Sequence, residues 1–98
     1  MILYHLTRER NIEQIFKRGL LVDIGIGCLC PLVSVYYRKY GTQPIFLTDD
    51  VEYTKNRFCI KSGFVCLKVD IHNLEIQKEY DHQFLCFANI DPERLSYL

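Results

Sequence analysis

The run Phe64-Val65-Cys66-Leu67-Lys68-Val69-Asp70-Ile71 constrains the fold of this chain more than any other stretch. Its period is two. Val65, Leu67, Val69 and Ile71 fall on one side, and Phe64, Cys66, Lys68 and Asp70 on the other. Only a β-strand sends alternate side chains to opposite faces. A strand with one continuous apolar face must lie in a sheet covered on that face, so the rest of the chain has to supply strand partners and a cover.

The sequence supplies both. Ile2–Leu6 alternates as a first strand, with Ile2, Tyr4 and Leu6 on one face and Leu3, His5 and Thr7 on the other. Asn11 is placed to cap a helix, and Ile12, Ile15 and Phe16 form its apolar stripe. Lys17 and Arg18 suit the negative end of the helix dipole, and Gly19 stops the helix, so that Leu20 can fold back on it. Pro44–Thr48 reads as a buried strand, and Asp49 or Asp50 as the cap of a helix over Val51–Phe58. His72-Asn73 is a turn. Leu74–Tyr80 is extended, with Leu74 and Ile76 inward, and Gln83–Ile90 is a further strand. Asp91-Pro92 opens one helical turn, with Asp91 as cap and Pro92 at its first position. Between these elements, Leu21–Gly41 is irregular, broken by Gly25, Gly27 and Pro31. One early helix and a run of late strands indicate an α+β fold, and 98 residues suit a single domain, 1–98.

Composition narrows the function. Twelve basic and twelve acidic residues cancel, which argues against charge-driven nucleic-acid binding by the whole molecule. No apolar run approaches the roughly twenty residues that span a bilayer, and the N-terminal residues lack the pattern of a signal peptide. No membrane partner is expected. The five cysteines, Cys28, Cys30, Cys59, Cys66 and Cys86, are odd in number and scattered. They do not read as a disulfide framework, so a reducing, cytoplasmic setting is expected. Cys28 and Cys30 form a C-x-C pair without a second pair nearby, which does not point to a metal site. Cys66 and Cys86 alternate within strands and are expected in the core or on the opposite face.

Four segments, taken in order, resemble the ADP-ribosyltransferase fold. They are "LYHLT" with "NIEQIFKRGL", then "PIFLTDD", then "FVCLKVDIHNL", then "QFLCFANIDPERLSYL". The likeness is to the minimal branch that includes the tRNA 2′-phosphotransferases and the nucleic-acid-directed ADP-ribosyltransferase toxins, and it covers about half the chain. It implies a small split β-sheet with short helices and a cleft for NAD. His5 matches the first-strand histidine that hydrogen-bonds a ribose hydroxyl of NAD, and Thr7 the residue that helps hold the nicotinamide end. The pairing is chemically apt, because neutral imidazole offers one donor and one acceptor nitrogen to vicinal hydroxyls. Thr48 is the candidate hydroxyl of the middle motif. Tyr53 and Phe46 are candidate faces for the nicotinamide ring. Tyr36, Tyr37 and Tyr40 are weaker alternatives in a segment that would overhang the cleft.

One departure bears on catalysis. Many such transferases carry a glutamate at the start of the late strand, where it stabilises the charge that develops on the ribose. The matching position here is Gln83, which has no charge. Glu79 or Asp81 can supply a carboxylate, the enzyme can work with Gln83, or the protein binds the nucleotide with little chemistry. Arg8 and Arg10 follow the strand and can border a phosphate site. The phosphotransferase branch is a longer protein and favours arginine where Tyr4 stands. His82 adjoins Gln83 and can orient a substrate, whereas His72 in its turn is expected to be solvated.

Three functions stay open, the first two of them implied by the resemblance. The first is transfer of ADP-ribose from NAD to a protein or nucleic-acid acceptor, in a toxin or phage-related setting. The second is a catalytically weak or inactive module that binds NAD, ADP-ribose or a related nucleotide. The third is a small protein-interaction domain with no nucleotide site.

Overall fold

A computed structural model of the chain describes residues 2–22, 39–60 and 62–98. The greater part of the irregular segment, including Tyr36, Tyr37, Arg38 and the Cys28/Cys30 pair, lies outside the described residues.

The fold is α+β. In chain order the described elements are β1 (Ile2–Arg8), α1 (Ile12–Arg18), β2 (Ile45–Leu47), α2 (Val51–Arg57), β3 (Phe64–Asp70), β4 (Ile76–Tyr80), β5 (Gln83–Cys86) and β6 (Leu95–Tyr97). They form two three-stranded antiparallel sheets, ordered β1-β3-β6 and β2-β5-β4. β1 runs the full length of β3, with His5 opposite Leu67 and Thr7 opposite Val65. Among the described residues one isolated backbone bridge joins the two sheets. Tyr4 and Thr48 exchange backbone hydrogen bonds of 2.8 and 2.9 Å. Beside that bridge, residues of β1 and β2 line one cavity on the seam.

The core explains the alternation. Leu67 and Val69, on the apolar face of β3, are fully buried, and Ile71, just past its end, nearly so. Leu3, Leu20, Ile45, Leu47, Cys86, Ile90 and Leu95 join Val69 and Ile71 in one cluster that draws on both sheets. Ile15 and Phe16 pack α1 onto it, and Leu74 and Ile76 close it from the far strand, as their spacing predicts. Removing such side chains from water stabilises a fold by roughly 1.5–3 kcal/mol each.

Gly19 has a structural duty. Its φ is +85° and its ψ −173°, a region closed to residues with a Cβ. A Cβ there would collide with the carbonyl oxygen of Ile90. The close approach lets Leu20 and Ile90 pair through backbone bonds of 2.9 and 2.8 Å, which docks the end of α1 onto the strand side of the molecule.

Several expectations need correction. Asn11 makes no side-chain cap, because a 3-10 turn over Glu9–Asn11 already leads the chain into α1. Asp91 likewise makes no side-chain cap, although Pro92 does open the 3-10 turn Pro92–Arg94. The strand expected over Gln83–Ile90 ends at Cys86. Its continuation bends away, and Ile90 pairs with Leu20 instead. β6 takes the place of a simple closing turn, pairing Leu95 with Val69 and Tyr97 with Leu67. The two strand cysteines need no such correction: Cys86 is buried in the core, and Cys66, on the face of β3 opposite Leu67, is half-buried.

Candidate functional site

The sequence Thr48-Asp49-Asp50 builds the floor of the site, and each residue has a separate task. Asp50 is the helix cap: its Oδ1 accepts from the Tyr53 N–H at 3.0 Å. The Thr48 hydroxyl donates to the Asp50 carbonyl at 3.1 Å and accepts from the Asp50 N–H at 3.0 Å and from the Thr54 hydroxyl at 2.8 Å. One hydroxyl has one hydrogen and two lone pairs, so that of Thr48 is fully committed. Because Asp50 caps α2, the Asp49 carboxylate is left for another partner, and it takes the His82 imidazole, Nδ1 lying 2.7 Å from Oδ1.

A cavity of about 60 Å³ lies on the seam between the sheets. β1 contributes Tyr4, His5 and Leu6 to its wall, β2 and its end contribute Phe46, Leu47 and Thr48, α2 and the turn after it contribute Thr54 and Phe58, and the β4–β5 hairpin contributes His82 and Gln83. The wall is mostly apolar, with a few converging polar groups, which is the usual constitution of a small-molecule site. The enclosed space has room for one ring or the edge of a sugar, and a larger ligand would extend beyond its mouth.

His5 is half-buried on this wall. Its Nδ1 lies 2.8 Å from the main-chain oxygen of Phe46. A carbonyl only accepts, so Nδ1 carries the hydrogen and the neutral ring presents Nε2 as an acceptor. Burial holds the His5 pKa below the ordinary imidazole value, and the hydrogen bond to Phe46 only partly opposes this. The ring is therefore neutral at pH 7 and suited to receive a ligand O–H.

Gln83 opens β5 beside it. Its Nε2 donates to Glu79 Oε1 at 2.8 Å. Glu79 reaches Gln83 because the β4–β5 register slips between Lys78 and Tyr80; such an irregularity turns a side chain away from its regular direction. A carboxylate thus stands directly behind the glutamine amide without itself lining the cavity. Asp81 is exposed in the hairpin turn.

The other expected ligand contacts are dispersed. Thr7 is buried opposite Val65 and does not line the cavity: it lies one pleat farther along β1, where the strand follows β3. Thr48 shapes the wall rather than offering a bond. Tyr53 is exposed and stands at the rim, its ring 4.6 Å from that of His82. Phe46 lines the cavity. Tyr40 instead packs edge-on against Phe87 at 4.9 Å. Arg8 and Arg10 border a separate shallow groove with Glu9, Ser62, Gly63 and Phe64, and the Arg8 guanidinium lies 5.4 Å from the centre of the Phe64 ring. The two depressions share no lining residue.

Local sequence marks Asp49 only as a possible cap and does not mark Phe58 or Leu6 as wall residues. The usable signal was the acidic pair itself, since one aspartate suffices to cap. Among the described residues no cluster of His, Cys, Asp or Glu could hold a metal ion, and no helix is long and apolar enough to cross a membrane. Compared with known proteins, the chain matches no protein-family model and no curated protein.

Proposed function

We propose that this domain is ADP-ribosyltransferase-like: it binds the nicotinamide-ribose end of NAD in the seam cavity and transfers ADP-ribose to a protein or nucleic-acid acceptor. The supporting observation is that His5, from the first strand, and Gln83, from the fifth, line the same cavity although they are far apart in the chain. In this reading His5 Nε2 accepts a hydrogen bond from a ribose hydroxyl. Gln83 contacts the ribose, and Glu79 behind it lends negative charge to the cationic transition state. Preorganised charge of this kind is usually the largest single catalytic contribution. The aromatic faces of Phe46 and Phe58 flank the planar ring. The adenosine end lies outside the enclosed space.

The experiment is a titration of NAD and of ADP-ribose against the wild type and His5→Ala, read by thermal shift, with nicotinamide release followed in parallel. Ligand at a hundred times its Kd stabilises by about 2.7 kcal/mol, which is readily seen. Stabilisation of the wild type that weakens in His5→Ala, together with nicotinamide release, is the expected outcome. A folded protein that neither ligand shifts would refute the reading and leave an interaction domain.

A second reading is a nucleotide-binding module without turnover. It is favoured by the wall itself, which presents the amide of Gln83 rather than a carboxylate, and a Thr48 hydroxyl with no bond left to give. Thermal stabilisation with no nicotinamide release would select it.

A further inference from the structure

We propose that Asp49 and His82 form an acid–base pair at the mouth of the cavity, in which His82 Nε2 takes the proton of the attacking hydroxyl. This rests on the nucleotide reading above. Three separate elements build the pair. Asp49 follows β2, His82 sits in the turn of the β4–β5 hairpin, and Tyr53 projects from α2. Asp49 Oδ1 lies 2.7 Å from His82 Nδ1. An ionised carboxylate only accepts, so Nδ1 carries the hydrogen, and Nε2 is the nitrogen whose lone pair serves as the base in the neutral ring. The Tyr53 ring lies 4.6 Å away at 53° and restricts how the imidazole turns. An imidazole oriented by an acid through one nitrogen and basic at the other is the arrangement that activates hydroxyl nucleophiles.

The backbone adds an independent observation. His82 has φ +64° in a two-residue turn, where glycine or asparagine is the ordinary choice. A residue other than glycine with positive φ is uncommon, and such residues gather at functional sites. His82 also lines the cavity, which a brace for the hairpin alone would not require. Besides Asp49, the ionisable groups around the imidazole among the described residues are the Tyr53 phenol, Arg57 (its Nη1 3.5 Å from the Tyr53 hydroxyl), Asp81 in the same turn, and Glu79 bound to the neighbouring Gln83. His5 stands on the same wall.

The step balances. The bond between ribose C1′ and the pyridinium nitrogen of NAD breaks, and nicotinamide leaves with the bonding pair as a neutral ring. The acceptor oxygen bonds to C1′, and its proton passes to His82 Nε2 and then to solvent. Water serves as acceptor in simple hydrolysis, so the macromolecular acceptor is not needed for the test. His82 is the catalytic residue and Asp49 a positioning residue.

The test uses NAD labelled in the nicotinamide, with the full chain in its wild-type form and as His82→Asn, His82→Gly and Asp49→Asn. Asparagine tolerates the positive φ and can still donate to Asp49, but it has no counterpart of Nε2. It therefore preserves the brace and removes the base. The expected result is that His82→Asn keeps its melting temperature and binds NAD about as tightly as wild type, while nicotinamide release falls about a hundredfold, the ordinary scale of general-base catalysis. Added imidazole restores release in His82→Gly, and Asp49→Asn lowers the rate with little effect on NAD affinity. Full release by His82→Asn in a wild-type-active protein overturns the proposal and leaves the nucleotide reading standing. Binding of NAD without release in the wild type overturns it in favour of the binding module. Absence of binding in a folded wild type overturns both.

Discussion

Replacing His5 with asparagine removes one titration and keeps a donor for Phe46, so it isolates the consequence of burying a neutral imidazole. His5 has its pKa lowered by desolvation in the folded chain, while the unfolded chain titrates near the usual imidazole value, roughly 6.5. Below that value the unfolded state binds a proton that the folded state resists. Stability is therefore complete above about pH 6.5 and is lost as the pH falls toward the folded pKa. The slope cannot exceed about 1.4 kcal/mol per pH unit for one group. Integrated from pH 7 to pH 5, the ceiling is about 2 kcal/mol, or roughly 8–16 °C in melting temperature for a domain of this size. Asp70, whose pKa is held down first by the His72 N–H, contributes its own loss only at more acidic pH. The assay is thermal melting of wild type and His5→Asn at half-unit steps between pH 7 and pH 5. Wild type should lose stability more steeply than the variant over that window. Parallel curves would mean that His5 is solvated in the folded protein, and the argument for a neutral acceptor nitrogen in the cavity would fail.

Three further outcomes follow from the geometry. Gly19→Ala puts a Cβ against the Ile90 carbonyl in a backbone conformation that alanine resists. With the Leu20–Ile90 pair disturbed, the cost is about 3–5 kcal/mol, a large part of the total stability, so melting should fall by more than about 12 °C; a fall of a degree or two would contradict the close approach. Asp50→Ala removes the cap on Tyr53 N–H and should cost about 1 kcal/mol, whereas Asp50→Asn retains most of it. Glu79→Gln keeps the partner of Gln83 but deletes the charge behind it. A unit charge about 6 Å away at an effective dielectric near 20 is worth up to about 3 kcal/mol. With solvent screening, nicotinamide release should slow about tenfold at similar NAD affinity, and unchanged release would show that the charge is not felt in the cavity.

Much of the local structure was legible because it depends on near neighbours. The alternation of Phe64–Ile71 read out β3 and its buried face. Gly19 read out the end of α1, and the acidic pair before Val51 the start of α2. The failures have the same origin. Asn11 has the right chemistry for a cap, but the preceding residues had already turned helical. β6 is three residues long and has no periodicity of its own; only pairing with β3 makes it a strand. β5 stops at Cys86 because Ile90 finds a backbone partner in Leu20, which nothing local to Gln83–Ile90 signals.

The amino-acid order by itself determined β1 to β4, the stop of α1, the cap of α2 and the neutral overall charge, since periodicity, glycine and capping chemistry act within a few residues. It also singled out His5 and Gln83. Tertiary structure alone decided which of the polar residues share a wall. His5 meets Phe46 across 41 positions and Asp49 meets His82 across 33. These encounters depend on where two sheets touch, and on a slipped register in one hairpin. Side-chain chemistry is written residue by residue, but a cavity is made by pairings between distant segments. For that reason Thr7 sank beside β3 while His82 came to stand at the opening.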